Sequence, residues 1–404
     1  MEKIGKYITK YVKGKTPKEL YEAPANGLMP YLSPDYLRDK AAPEFYALPT
    51  SKTVQVDDGE VIVLWDGSNA GEIFISKKGI LASTMVKLDF DETEIHKPYY
   101  SYSFQYLEYF LKAKTAGSGI PHADKGVIKR LDFFKPEKNE QKVIASILSK
   151  VDAAIRAADN SIKSAEKLKK SLMQNLLTGK LKADGTLRTD EEFYKHEKFG
   201  NCPVGWHWGR LSEIADVIAG QSPSGEYYNE DGIGTAMLNG PTEFTDLHPI
   251  PVQYTTKVTK LCAIGDILFT VRGSSTGRMN IADQEYCIGR GIAAIRAKEG
   301  CDTDFIYYTL ITISEKILAE AKGAGTTFPN VSRGELLKKW VLIPDTDQTE
   351  IASKIKSVDA FLKEKQKKVA TIQRLKKSLM QNLLTGKVRV DVNKIENLLA
   401  NATV

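Results

Sequence analysis

Thirteen residues, Leu168-Lys-Lys-Ser-Leu-Met-Gln-Asn-Leu-Leu-Thr-Gly-Lys180, return letter for letter as Leu375 to Lys387. An identity of that length does not arise by chance. The same offset of 207 residues (Lys180 to Lys387) pairs Val151-Asp152-Ala153 with Val358-Asp359-Ala360, and Glu140-Gln141 with Asp347-Gln348. A chain that repeats itself at one register folds as two similar halves. Its 404 residues are also too many for a single ordinary core.

The duplication reaches the segments upstream with small drifts in offset. Gly14-Lys-Thr-Pro17 pairs with Gly220-Gln-Ser-Pro223, and the run from Gly59 through Trp65-Asp66-Gly67-Ser68-Asn69-Ala70-Gly71 pairs with that from Gly265 through Val271-Arg272-Gly273-Ser274-Ser275-Thr276-Gly277. Gly117-Ser-Gly-Ile-Pro121-His122 likewise pairs with Gly325-Thr-Thr-Phe-Pro329-Asn330. Glycine, proline and apolar residues survive, and these types hold turns and cores. The polar residues beside them differ, Asp66 against Arg272 and His122 against Asn330. The halves share a scaffold and carry different surfaces.

Each half ends in a helical pattern. Ile144, Leu148, Val151, Ile155, Ala158, Ile162, Ala165, Leu172 and Leu176 mostly follow spacings of four and three, the seam of a coiled coil. The copy runs through Ile351, Ile355, Val358, Leu362, Val369, Ile372, Leu379 and Leu383, with Lys365 and Lys376 interrupting it as Lys169 interrupts the first. Gly179 and Gly386 stand where helix C-caps belong. Helices of about 38 residues reach roughly 57 Å at 1.5 Å per residue, and each needs a partner for its stripe. Isologous pairing of duplicates makes the other copy that partner, which requires antiparallel helices about a pseudo-twofold axis.

The segments before the helices mix strand-like runs (Val61 to Trp65, Ile267 to Val271, Ile292 to Ile295) with helical ones (Gln105 to Lys114, Phe305 to Ala321). The predicted fold class is therefore α+β: two globular domains separated by two long antiparallel coiled-coil helices, in a pseudo-twofold tandem duplication. The boundaries read as a first domain at 1–136, a helix at 137–180, a polar linker with a short helix at 181–202, a second domain at 203–344, a second helix at 345–387 and a tail at 388–404. Pro203-Val-Gly-Trp-His-Trp208 opens the second domain and has no counterpart in the first, whose match begins with Ile4 on Arg210.

Composition narrows the function classes. The chain is 42% hydrophobic and 27% charged, which excludes wholesale disorder. No run approaches the roughly 18 apolar residues that span a bilayer. Met1 to Lys15 lacks the apolar core of about 7 to 15 residues found in a secretory signal, so a cytoplasmic location without membrane contact is expected. Cys202, Cys262, Cys287 and Cys301 form no Cys-x-x-Cys pair, and the five histidines show no ligand spacing, so neither a metal nor a disulfide framework is expected. The net charge is +6, yet Glu137–Lys180 holds nine basic and five acidic residues and Asp345–Lys387 ten and five, leaving the remainder slightly acidic. A polyanion partner must therefore meet local patches: Lys13 and Lys15, Lys77 and Lys78, and Lys125 and Lys129 in one half, with Arg272, Arg278, Arg290 and Arg333 in the other. Catalytic motifs fail to appear. Gly14-Lys15-Thr16 lacks the first glycine of a phosphate loop, Gly323-Ala-Gly325 fails as a dinucleotide fingerprint, and there is no nucleophile elbow or deaminase zinc motif. Asp266 and Glu60, acids at Gly-Asp and Gly-Glu turns before a strand, read as structural.

Two variable domains, each followed by a long helix ending Lys-Lys-Ser-Leu-Met-Gln-Asn-Leu-Leu-Thr-Gly-Lys and entered through Pro136-x3-Glu140-Gln141 or Pro344-x3-Gln348, resemble the specificity subunit of a type I restriction-modification system. The Gly-x-Thr/Ser-Pro openings at Gly14 and Gly220 belong to the same likeness, which covers nearly the whole chain. The resemblance implies two target-recognition domains that each read one half of a split, asymmetric double-stranded DNA sequence. The helices would space the halves and dock two methyltransferase (modification) subunits, which methylate adenine with S-adenosylmethionine. Separate restriction (motor-nuclease) subunits use ATP and magnesium. The chain itself would be non-catalytic and carry no cofactor or metal. Candidate DNA-binding residues are Ser68, Asn69, Ser118, His122 and Lys125 in the first domain, and Gln221, Arg272, Ser274, Ser275, Arg278, Thr326, Thr327 and Asn330 in the second. Arg272 and Arg278 flank a Gly-Ser-Ser-Thr-Gly turn from which an arginine can reach a guanine bidentately. A coiled-coil scaffold for protein partners alone accounts for the seams but not for surfaces that diverge over a constant frame; an enzyme with a cryptic site has no motif behind it.

Overall fold

The computed structural model describes residues 1–114, 121–323 and 329–394. The chain divides into two compact units, one formed by Met1–Asn160 with Lys367–Val404 and the other by Ser161–Gln366. Both mix mostly antiparallel sheets with helices, and the two sheet plans repeat each other.

In the first unit the larger sheet has the strand order Ile8–Lys13, Met85–Phe90, Val61–Leu64, Ile73–Ile75, all antiparallel. In the second it is Ala215–Ala219, Ile292–Ala297, Ile267–Thr270, Met279–Ile281, again antiparallel. The central strands Val61–Leu64 and Ile267–Thr270 are buried along their whole length, as unbroken apolar or β-branched runs with both faces covered must be. Each unit adds a smaller sheet containing one parallel contact, Leu32 with Leu81 and Leu238 with Ile288. The duplication read from a few glycines and prolines is thus a duplication of topology.

One helix packs on each larger sheet. In the first unit Tyr99, Phe104, Leu107 and Leu111 of Lys97–Lys112 join Val61, Val63, Val86 and Leu88 in one core. In the second, Ile306, Leu310 and Ile317 of Thr303–Gly323 join Ile267, Phe269 and Ile295. The first of these helices begins eight residues before Gln105. Its opening run Pro98-Tyr-Tyr-Ser-Tyr-Ser103 has weak helix formers, and burial of Tyr99 and Tyr100 overrides that preference.

The long helices span Lys138–Leu176 and Gln348–Leu383. Gly179 and Gly386 follow them with φ of 67° and 73°, the left-handed turn that ends a helix cheaply only at glycine. Within the first unit Leu383 and Leu384 share a core with Ile144, Ala145 and Leu148. There Arg389 Nη2 lies 2.6 Å from Glu140, and Lys376 Nζ lies 2.6 Å from Asp152. Within the second unit Met173, Leu176 and Leu177 share a core with Ile351, Ala352 and Ile355, and Lys169 Nζ lies 2.6 Å from Asp359. Two of the three lysines that interrupt the apolar stripes, Lys169 and Lys376, are therefore ion-paired, while the Lys365 ammonium lies 4.9 Å from the centre of the Phe361 ring.

The entries Pro136-x4-Gln141 and Pro344-x3-Gln348 have a local purpose. Buried Gln141 accepts from the His96 N–H at 2.8 Å and donates to Pro136 O at 2.9 Å, while Gln348 accepts from the Asp302 N–H at 3.0 Å. Each glutamine thus ties the start of a long helix to the start of the helix on the sheet.

Two sequence expectations change in detail. Residues 181–202 hold a three-residue helical turn at Asp190–Glu192, followed by a hairpin of Phe193–His196 with Gly200–Pro203. Gly200, at φ 81°, permits that hairpin, and the Phe199 ring packs tilted by 31° against Trp208, centre to centre at 4.7 Å. Ile4 corresponds to Leu211 rather than Arg210: the Ile4 N–H donates to Leu131 O and the Leu211 N–H to Lys339 O, and both side chains are fully buried. The preceding strand is two residues long in the first unit (Glu2–Lys3) and five in the second (Trp206–Arg210).

Candidate nucleic-acid interface

One end of each larger sheet gathers the loops that diverge in sequence. In the first unit the Gly14 N–H donates to Met85 O at 2.9 Å, the Trp65 N–H to Thr84 O at 2.7 Å, the Ala123 N–H to Trp65 O at 2.8 Å and the Gly67 N–H to Pro121 O at 3.1 Å. The second unit repeats the pattern: Gly220 to Ile292 O at 3.0 Å, Val271 to Gly291 O at 2.9 Å, Val331 to Val271 O at 2.9 Å and Gly273 to Pro329 O at 3.0 Å. The four backbone ties hold the loops in one frame whatever their side chains are.

The Gly-x-Thr/Ser-Pro opening is part of that frame. A Cβ on Gly14 would stand 2.0 Å from Ala82 O, and one on Gly220 2.2 Å from Gly289 O, so no other residue fits. Two residues on, Thr16 Oγ1 donates to Ser83 Oγ at 3.0 Å, and Ser222 Oγ accepts from the Arg290 N–H at 3.1 Å.

Different side chains occupy the same place on this frame. In the first unit Asp66 and His122 form an isolated antiparallel bridge, and His122 Nδ1 lies 2.7 Å from Asp66 Oδ1. Lys13 Nζ reaches the other carboxylate oxygen at 3.1 Å. Burial raises the Asp66 carboxyl, but His122 and Lys13 outweigh it and hold the group below the usual carboxylate range. In the second unit the bridge is Arg272 with Asn330, and Arg272 Nε donates to Asn330 Oδ1 at 3.2 Å. An acid–imidazole pair has been exchanged for a guanidinium–amide pair with the backbone unchanged.

The structure brings Ser68, Asn69 and His122 together around Asp66; all three are exposed. Ser68 and Asn69 line a cleft with Ser33, Asp35 and Arg38. Arg38 itself is held by Glu72, with Nε to Oε1 at 2.9 Å, and the guanidinium keeps the Glu72 carboxyl low. Lys125 is exposed, its ammonium 4.4 Å from the centre of the Tyr11 ring. In the second unit Arg272, Ser274 and Asn330 are exposed on one surface with half-buried Ser275 behind them. Gln221 lines a neighbouring cleft with Ser222, Asn239 and Arg290. Arg278 is differently engaged: its guanidinium donates to Pro241 O at 3.2 Å and Phe244 O at 2.7 Å, tying the turn to the short helical turn Pro241–Glu243 that follows the strand Thr235–Leu238. Ser118, Thr326 and Thr327 lie outside the described residues.

Several basic residues of the sequence patches are committed elsewhere. Lys77 donates to Tyr36 O at 2.7 Å and pairs with Asp39, and Arg333 Nε donates to Val217 O at 2.7 Å. Asp266 is structural: Arg296 binds it bidentately at 2.8 and 2.8 Å, and it accepts from the Ala263 N–H at 2.7 Å. Glu60 pairs with Lys87 at 3.3 Å. Asn239 had no sequence signal, because it comes from the smaller sheet and meets Gln221 and Arg290 only through the fold. Among the described residues no group of acids, histidines and cysteines is placed to hold a metal, and no helix is long and apolar enough to cross a membrane.

The chain belongs to the family described as the type I restriction modification DNA specificity domain, whose model matches it twice, at residues 4–167 and 203–374. It is a type I specificity subunit with two tandem recognition domains. It is 33% identical over 401 residues to the type I restriction enzyme MjaVIII specificity subunit of Methanocaldococcus jannaschii, covering 96% of this chain and 92% of that one. Its fold is similar to the crystal structure of the type I restriction-modification S subunit from M. genitalium, with TM-score 0.63 and 17% identity over 95% of each chain. It is also similar to a chain from a study of complex assembly and conformational transition of the type I system, with TM-score 0.56 and 20% identity over 96% of this chain and 97% of that one.

Proposed function

We propose that each unit reads one half of a bipartite, asymmetric double-stranded DNA target, and that the long helices form an antiparallel coiled pair that sets the gap between the halves. The observation that carries this reading is the exchange of Asp66–His122 for Arg272–Asn330 on one conserved frame. A constant scaffold with interchangeable polar tips is what two readers of different base sequences require. Duplex DNA has a dyad, so heads related by a pseudo-twofold axis meet its half-sites in equivalent orientation. The paired positions support that axis: Asp152 with Lys376 in one unit and Asp359 with Lys169 in the other are the same two repeat positions with their helices exchanged.

The readers on this account are Ser68, Asn69, His122 and Lys125 in the first unit and Gln221, Arg272, Ser274, Ser275 and Asn330 in the second, together with Ser118, Thr326 and Thr327, which lie near His122 and Asn330 in sequence. Arg278 supports the loop. Phosphate contacts supply position and affinity, and side chains at base edges supply discrimination. The chain is non-catalytic and acts with two methyltransferase subunits docked on the helices; restriction subunits join through that assembly.

The test is selection from random-sequence DNA by the full chain assembled with its modification subunits. The reading expects enrichment of two short motifs at a fixed separation, with affinity falling steeply as salt rises. A pure protein scaffold gives neither, and uniform recovery without a split motif defeats the proposal.

A further inference from the structure

Lys169 and Lys376, equivalent breaks in the two apolar stripes, belong to a repeated three-residue arrangement. In the first unit Tyr102 Oη donates to Asp152 Oδ2 at 2.8 Å, Lys376 Nζ lies 2.6 Å from Asp152 Oδ1, and the same ammonium stands 5.6 Å from the centre of the Tyr102 ring. In the second unit Tyr308 Oη donates to Asp359 Oδ2 at 2.8 Å, Lys169 Nζ lies 2.6 Å from Asp359 Oδ1, and the ammonium is 5.9 Å from the Tyr308 ring. Each triad takes its tyrosine from the helix on the sheet, its aspartate from one long helix and its lysine from the other. The tyrosines are 8% and 3% exposed, so each triad sits at the junction of three helices. Burial, then the aspartate, pushes both phenols upward, which keeps the hydroxyls protonated as donors.

An apolar residue in place of each lysine would continue the stripe, and half-buried ion pairs add little stability over well-packed apolar neighbours. Their best-attested use is to fix register. The flanking residues make that use specific. A slip of one turn between the helices would move Lys169 from Asp359 to buried Ile355 on one side or to Lys363 on the other. The same slip would move Lys376 from Asp152 to buried Leu148 or to Arg156. In both units the alternatives to the carboxylate are an apolar side chain or a like charge, while the tyrosine holds the aspartate of its own half in place.

We infer that the two Tyr-Asp-Lys triads are register locks, which fix each recognition domain to one position along the helix pair and so make these six residues positioning determinants of the gap between half-sites. The inference rests on the bipartite reading proposed above. None of the six touches the loop surface assigned to bases.

The experiment uses the full chain assembled with its modification subunits and a DNA library in which both half-sites are constant and the gap varies one base pair at a time. Lys169→Met and Asp359→Asn are expected to lower discrimination between the best gap and its neighbours several-fold, with both half-site sequences unchanged. Lys169→Arg should restore the narrow preference. Tyr308→Phe, which removes only a hydroxyl, tests the same lock without threatening the core and should give a smaller loss of the same kind. Gap preference as narrow as the parent's in folded Lys169→Met and Tyr308→Phe overturns the lock, as does loss of half-site sequence preference together with gap preference. A parent that selects no split motif is a separate result: it defeats the bipartite reading and the lock falls with it.

Discussion

Asp66 and His122, 56 residues apart in sequence, meet at 2.7 Å at the exposed end of the first unit's larger sheet, where the second unit places Arg272 and Asn330. On the function proposed above, such exchange on a constant backbone gives the duplicated domain a second specificity without a second fold. Arg272→Ala is therefore expected to relax one base position in the half-site read by the second unit, by about 1–3 kcal/mol of discrimination. The half read by the first unit should not change. Competition binding of the assembled complex with single-base variants of each half measures both.

The glycine openings make a steric prediction. Gly220→Ala puts a methyl group 2.2 Å from the Gly289 carbonyl oxygen, with the Ile292 and Ile288 carbonyl oxygens at 2.6 and 2.7 Å. A cost of about 1–3 kcal/mol is expected from overpacking, with the strand end displaced. Thermal unfolding and amide exchange at Gln221 and Ser222 report it, and Gly225→Ala, where nothing stands near the added methyl, should be silent by comparison.

Glu243 provides a pH prediction of unusual sign. It is 7% exposed, its Oε2 has no hydrogen-bond partner, and burial raises its carboxyl above the ordinary value. A raised acid makes the folded state bind more protons than the unfolded one, so stability falls as pH rises through the window above the unfolded carboxylate range. Glu243→Gln should remove that slope: the second unit gains stability near neutrality and changes little below the carboxylate range. Denaturant midpoints at both ends of the window decide it, and parallel curves for parent and variant refute it.

Much of the architecture was legible because the duplication is its own alignment. Thirteen identical residues gave the register, and the glycines that survive elsewhere include Gly14 and Gly220, whose close approaches to backbone carbonyls no other residue fits. The apolar stripes marked both long helices. Less legible were features that depend on residues distant in sequence. Lys169 and Lys376 look like flaws in a seam until Asp359 and Asp152 stand opposite them. Nothing near Arg278 in the sequence announces that its guanidinium holds the carbonyls of Pro241 and Phe244. The helix start at Lys97 is hidden because tyrosine and serine are poor helix formers, and only the core they fill makes them helical.

On the function proposed above, the helices measure the distance between two separately read half-sites. Inserting a heptad, about seven residues and about 10 Å, into each helix after Asn160 and Lys367 keeps the seam in phase and lengthens the separation by up to about three base pairs. Sequences selected from random DNA by the assembled variant should show the same two half-motifs with a longer gap between them. The same halves at the parent's gap would contradict the account.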